Sequence, residues 1–423
     1  MIKKLLILFS LFLIASAASA QKNITITVKN PADFARSEEA IIISRQTLEK
    51  RAGKLSSNQI PLFTKASGEV LASQADDLNG DGNWDEAIFL TSFQKKESYD
   101  VHITFVNPEA FPTFKKRTQA RLAKLKGETF EVINAATMPP GHQATDFSKV
   151  KVPLYQVEGP AWENDKVAFR LYFDPRNGKD IYGKTTSDLV LDQVGLPGDN
   201  YHVKNWWGMD ILKVGASLGA GALAIAVQDA TGKNTLVRLG DQVEQTDYQL
   251  IANGPVRSVF RLQYHNWRPT PSEQYNISET IYIIAGKYYY ESSVITSGFA
   301  GEKAVVTGIV NLMSDKALQY QDKKYNYLAT HDKQSENKDQ LGMGIIVKKE
   351  DFIRFGETPE NGTEKILQTY YVALKSKANQ PVTYKFYAGW EATDARFADV
   401  NYFENLLKSE IAGFSQPIKV KFK

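Results

Sequence analysis

GPAWENDKVAFRLYFDPRNGKDIYGKTTSDLVLDQVGLPGDNYHVKNWWGMDILKV, residues 159–214, is the stretch from which the rest of the chain can be read. Inside it, Val167 to Asp174 alternates. Val167, Phe169, Leu171 and Phe173 fall on one side, and Ala168, Arg170, Tyr172 and Asp174 on the other. A period of two is that of a β-strand, whose successive side chains point to opposite faces. Charges on one face of a sheet must pair with each other or meet a ligand. The plain reading is a solvated face with Arg170 paired to Asp174. The sharper reading is a binding face, because Arg176, Asp180 and Lys184 follow directly. The same stretch also carries Trp162, Trp206, Trp207, Glu163, His202 and Asp210. An apolar ring stacks on the C–H face of a pyranose, and fixed polar groups read its hydroxyls. These residue types together suit a sugar site.

Outward from this stretch the chain continues as short alternating runs. Before it come Asn23 to Asn30, Ala40 to Ser44, Ile60 to Thr64, Glu69 to Leu71, Asp85 to Leu90 and Tyr99 to Val106. Short strands separated by turn signals predict a small β-sandwich over about residues 22–110. Residues 111–140, Pro-containing and then basic, read as a linker. After the central stretch, Ser217 to Val227, Gly254 to Trp267, Ser278 to Ser293, Lys303 to Leu312, Leu341 to Lys348, Thr369 to Leu374 and Pro381 to Trp390 read as strands. Val400 to Phe414 places Phe403, Leu406, Leu407 and Ile411 at helical spacing. The expected second domain, residues 141–423, is therefore mainly β, with two large packed sheets and one late helix.

Composition narrows the function classes. Lys3 and Lys4, the apolar run Leu5 to Ile14 and Ala18-Ser19-Ala20 read as a secretory signal peptide over residues 1–20. The expected place of work is the periplasm or the exterior, with no membrane span. The chain has no Cys, so stability must come from its core alone. Its formal charge of +3 includes Lys3 and Lys4, so there is no basic field for nucleic acid.

Two further motifs carry candidate chemistry. Asp77-Leu78-Asn79-Gly80-Asp81-Gly82 has the opening of an EF-hand calcium loop, but Ile88 stands where the closing Glu belongs. Asp77, Asn79, Asp81 and Asp85 are candidate ligands for a structural Ca2+, and an acidic β-turn is the alternative. No organic cofactor is expected. His142 lies in the loop Met138-Pro139-Pro140-Gly141-His142 and is one of five His.

The segments GPAWENDKVAFRLYFDPRNGKDIYGK, YHVKNWWGMDILKVGASLGAG and SQADDLNGDGNWDEAIFL resemble a family of secreted bacterial proteins known as domain of unknown function 4861. The resemblance covers nearly all of the chain after the signal peptide. It implies kinship with the galactose-mutarotase-like group and its β-supersandwich fold. It also implies sugar handling, often beside enzymes that dismantle uronate-containing polysaccharides. A fold supports such a reading without naming a reaction.

Three chemistries follow. An eliminase acting on an acidic oligosaccharide or polysaccharide would neutralise the carboxylate with Arg170, Arg176 or Lys184. It would take the proton with His202 or His142, with Tyr201 as acid. A hydrolase or epimerase would use Glu163 and Asp210, with Glu391 in reserve. A binding protein would use Trp162, Trp206 and Trp207 as platform, with Arg170, Tyr172, Arg176, Asp180 and Lys184 as readers.

Overall fold

A computed structural model describes residues 23–228 and 234–423. The expected signal peptide lies outside the described residues. The described chain is mainly β, as the alternation predicts. A small sandwich packs the four-stranded sheet formed by Lys419–Phe422, Ile24–Lys29, Ser98–Val106 and Ile60–Lys65 against a three-stranded sheet of Arg36–Ser44, Glu86–Phe93 and Ser73–Asp76. Ile26, Val28, Phe63, Phe89, Val101 and Ile103 fill it. Its first sheet ends on a strand from the far end of the chain, Lys419–Phe422, antiparallel to Ile24–Lys29.

The large unit has a nine-stranded sheet in one layer. Its strands run, in spatial order, Leu318–Gln321, Tyr325–Asp332, Leu341–Lys348, Pro381–Trp390, Tyr289–Ser297, Glu273–Ile284, Arg257–Thr270, Gln245–Asn253 and Ala135–Thr137. Side chains from a six-stranded and a five-stranded sheet meet it across one core. Trp162, Phe169 and Ile181 come from the six-stranded sheet, and Leu223, Ile225, Val305 and Val372 from the five-stranded one. Phe260, Ile281, Tyr290, Ile345 and Phe386 come from the nine-stranded sheet. A parallel bridge between Lys179 and Gly219 joins the two smaller sheets. The stretch expected as a linker instead supplies Thr118–Lys126 and Thr129–Ile133 to the six-stranded sheet and Ala135–Thr137 to the nine-stranded one. The alternation in Thr118–Lys126 is that of an ordinary strand, and its basic residues hid the pattern.

The core also holds an ion pair. Lys179 donates from Nζ to Glu279 Oε1 at 2.5 Å, to the Tyr384 hydroxyl at 2.9 Å and to the Gly221 carbonyl at 3.1 Å. Both charged side chains are essentially inaccessible. Lys179 belongs to the six-stranded sheet and Glu279 to the nine-stranded one, so the pair ties the two layers together.

The other face of the nine-stranded sheet is covered by the helix Val400–Ser415. Asp399 caps it by accepting from the Asn401 amide. Phe403, Leu407 and Ile411, four residues apart, bury one helical stripe against Tyr327, Ile346 and Tyr387. The close approach needs glycine below it: a Cβ on Gly342 would lie 2.6 Å from the Phe403 ring. Gly342→Val should therefore cost about 1–3 kcal/mol by overpacking, read as an earlier urea midpoint.

Polar contacts fasten the small unit to the large one. Arg257 donates to Asp76 Oδ2 at 2.5 Å and to Glu86 Oε2 at 3.0 Å, one on each flank of the acidic loop. Gln74 donates to the Arg257 carbonyl at 2.9 Å.

Candidate functional site

The six-stranded sheet turns one face to the core and the other to a covering loop. The order of its strands is Gly208–Asp210, Lys179–Lys184, Ala168–Leu171, Ala161–Asn164, Thr118–Lys126 and Thr129–Ile133. Phe169, Ile181 and Met209 point into the core. Alternation then sends Arg170, Asp180, Tyr182 and Asp210 to the opposite face, where Arg170 sits across from Asp180 and Tyr182 across from Asp210. Residues 185–207 fold over this face and bury Val190, Leu191, Val194 and Trp207 against Tyr182 and Ala168.

Arg170 is the centre of what lies there, 2% exposed. It donates to Asp180 Oδ2 (2.8 Å), Asp210 Oδ2 (2.9 Å) and the Tyr172 hydroxyl (2.8 Å) through Nη2, and to the Tyr201 hydroxyl (3.2 Å) through Nη1. Glu158 Oε2 stands 3.6 Å from Nη1. Arg176, closer to solvent, reaches Glu158 Oε1 and Asp174 Oδ2, both at 2.6 Å. Asp174 thus pairs with Arg176 rather than with Arg170.

Glu158 arrives by an unusual backbone. Val157 and Glu158 have φ of 50° and 62°, in the left-handed region that non-glycine residues seldom occupy. Each such residue costs about 1–3 kcal/mol unless its surroundings enforce it, and such residues gather at functional sites. Here Gln156 enforces it, donating to the carbonyls of Leu191 (3.3 Å) and Val194 (2.6 Å) in the covering loop.

Electrostatics separate the titratable groups. Burial, then the nearby Asp180 charge, pushes the Asp210 carboxyl well above the usual carboxylate range. Burial and then the Arg170 guanidinium push the His202 imidazole down. Its side chain is 65% exposed, so solvent screening limits that push. His202 Nδ1 lies 3.5 Å from Asp210 Oδ2. Burial also lowers His142, with Asp174, Arg176 and Glu158 as its charged neighbours. The hydroxyls of Tyr172 and Tyr201 are pushed up, chiefly by burial, and remain protonated donors. Two neutral imidazoles therefore sense the same Glu158 carboxylate beside a carboxyl that favours its acid form.

The family model described as domain of unknown function (DUF4861) matches residues 28–420. The chain belongs to the DUF4861 family. A relative from Formosa agariphila, described as "Uncharacterized protein P7", is 27% identical over 276 residues, 60% of each chain. The match thus spans under two thirds of that relative's length. Among solved structures, an alpha-mannosidase from Enterococcus faecalis superposes with a TM-score of 0.46 at 8% identity, covering 95% of this chain and 46% of that one. A protein in the glycosyl hydrolase family 38 from the same organism gives 0.45 at 8% identity, covering 95% and 47%.

In this DUF4861 protein the fold brings Arg170, Tyr172, Arg176, Asp180, His202 and Asp210 into one cluster, with His142 at its edge. It adds Glu158, which the sequence reading passed over, and Asp174 in a different pairing. Four expected site residues lie elsewhere. Trp162 is fully buried in the core, stacked on Phe169 at 5.7 Å and in contact with Phe260 and Tyr290. Trp207, the last residue of the covering loop, is 2% exposed and packs on Tyr182. Neither ring has a face to offer a sugar. Glu163 and Lys184 are fully buried and pair at 2.5 Å. Glu163 Oε1 also accepts the amides of Val190 and Leu191, so this pair anchors the covering loop. Trp206, 57% exposed, is the platform residue that stays open. Glu391 accepts from the Gln340 amide at 3.0 Å.

Asp77, Asn79, Asp81 and Asp85 do share one loop. Asp77 accepts the amides of Gly80 and Gly82, Asn79 that of Asp81, Asp81 that of Asn83, and Asp85 those of Leu78 and Asn79. The loop closes on its own amides. Among the described residues, no group of three or more His, Cys, Asp or Glu is placed to hold a metal ion. No helix among them is long and apolar enough to cross a membrane.

Proposed function

We propose that this DUF4861 protein is a carbohydrate-active enzyme that moves protons on an uncharged sugar at the Arg170 cluster, as a hydrolase or epimerase does. The observation that carries the reading is the state of the cations. Arg170 is enclosed by Asp180, Asp210 and Glu158, Arg176 by Asp174 and Glu158, and Lys184 by Glu163. Each cation assigned to a substrate carboxylate is already neutralised by the protein. Elimination from a uronate needs a spare positive charge next to the acid. With four carboxyls against two guanidinia, the cluster repels an anionic sugar even when Asp210 is protonated.

His202 is the group that reaches substrate, with Tyr201, its ring 4.5 Å away, as proton donor beside it. Asp210, buried behind His202 with Oδ2 3.5 Å from the imidazole Nδ1, is a positioning residue. The test is a time course on neutral and uronate-containing oligosaccharides. Release of reducing ends, or interconversion of sugar proton signals in magnetic resonance, is expected with neutral substrates alone. A rise in ultraviolet absorbance on the uronates would establish elimination and reject the reading. Binding without turnover on every substrate would leave a binding protein.

Calcium at the acidic loop is a separate proposal. Each loop oxygen that accepts an amide keeps a lone pair for a hard cation. Added calcium is expected to raise the melting temperature over that in EDTA, and Asp77→Ala to abolish the difference. Equal melting in both buffers would assign the loop to its own amides.

A further inference from the structure

The nine-stranded sheet has its own outer face, opposite the layer that carries the Arg170 cluster. Tyr384 and Phe386 point to the core, so Lys385 and Tyr387 point away from it. Where the helix Val400–Ser415 and the small sandwich meet this face, they leave a cavity of about 290 Å³, lined among others by Tyr288, Tyr387, Tyr402, Glu410, Lys287 and Phe414. A second cavity of about 350 Å³ shares Arg36, Glu39, Lys287, Gly413 and Phe414 with it. The two form a groove along the seam between the units. Ligand sites favour such seams, and volumes from about 300 Å³ upward hold small ligands.

We propose that this groove is a second saccharide-binding site, for an uncharged oligosaccharide. Its charges balance. Glu39 is held by Arg36 and by Lys287, the latter at 3.0 Å, which leaves Glu410 touched only by the Tyr387 hydroxyl at 3.3 Å. Lys385, which lines the second cavity, is paired with Glu291, so three cations face three anions and no net charge selects an ionic ligand. Tyr288 and Tyr402 are half-buried, each with its ring packed on Phe397. Arg396 lies over one face of Tyr402 at 4.8 Å and Lys166 over one face of Tyr288 at 5.9 Å, so each ring has a single face to offer a sugar, and the hydroxyls with the Glu410 carboxylate supply a donor and acceptor set for sugar hydroxyls. An apolar peptide would leave these polar groups unpaired at a cost.

The proposal shares only its ligand class with the proposed function, and the test separates them. The full chain is titrated calorimetrically with mannohexaose, cellohexaose and xylohexaose, with a galacturonate hexamer as the charged comparison. Saturable binding of a neutral hexasaccharide is expected, weakened at least tenfold in Tyr402→Ala and in Glu410→Gln, and kept in His202→Ala. Tyr402→Phe, which retains the ring, should lose less than Tyr402→Ala. Turnover in Tyr402→Ala should match the parent, and its loss in His202→Ala reports on the Arg170 cluster alone. The proposal is overturned by the absence of binding to all three neutral probes. It is equally overturned by groove variants that keep the parent's stoichiometry and affinity, or by binding that disappears in His202→Ala.

Discussion

His202→Ala should lower kcat by about 10²–10⁴-fold on the neutral substrate that the parent turns over, the usual contribution of a positioned acid–base group. Folding should be almost untouched. The side chain is 65% exposed and its contact with Asp210, at 3.5 Å, is long, so the stability change should stay within about 0.5 kcal/mol. The pH profile carries the sharper check. His202 is pushed below the ordinary 6.5 by burial and by Arg170, against the opposing pull of Asp180, Glu158 and Glu336. The neutral, proton-accepting ring therefore persists to lower pH than in a free imidazole, and the acid limb of kcat/KM should fall below 6.5. The stability sign follows from the same shift. As pH drops past 6.5, the unfolded chain takes up the proton first, so stability declines from there until the folded pKa is reached. His142, lowered in the same direction, adds to that decline. An acid limb unchanged in any surviving activity of His202→Ala would remove His202 from proton transfer.

The largest loss of stability should come from Lys179→Met. Breaking a buried pair on one side costs about 3–5 kcal/mol, because the remaining charge is left in a medium that cannot solvate it. Glu279 is fully buried, and its Oε2 atom already lacks a partner. Ser292 and Tyr384 can still donate to Oε1, at 2.6 and 3.3 Å, which is too little for a full negative charge. The double variant Lys179→Met/Glu279→Leu should recover most of the loss, since an apolar pair of similar volume replaces both charges. Urea unfolding followed by tryptophan fluorescence measures this, Trp162 and Trp267 being buried in the same core. A double variant as weak as the single one would mean that Lys179 matters through its bonds to Gly221 and Tyr384.

The strands were legible because period two survives in Ala168–Leu171, the middle of the run read from Val167 to Asp174, whose end folds into a turn, and in the long runs of the nine-stranded sheet. The cluster was legible for the same reason, since Arg170, Asp180 and Asp210 alternate with core residues on adjoining strands. What misled was pairing. Trp162 faces Phe169 across a hairpin and shares its side of the sheet, which is the core side. Residue types suggested a platform, and register decided against it. Glu163 and Lys184 are separated by 20 residues in the chain and joined only by that same sheet. Glu158 depends on a left-handed backbone at a Val-Glu step, for which neither residue type gives a signal.

The strand Lys419–Phe422 emerges from the ribosome after every other described strand, yet its partner Ile24–Lys29 is among the first made. Until it arrives Ile24–Lys29 is the edge of its sheet, and afterwards Lys419–Phe422 is. An open edge is a template for pairing with a neighbouring nascent chain. Vectorial synthesis thus exchanges a six-residue edge for a four-residue one, and a short edge pairs least readily with a neighbour.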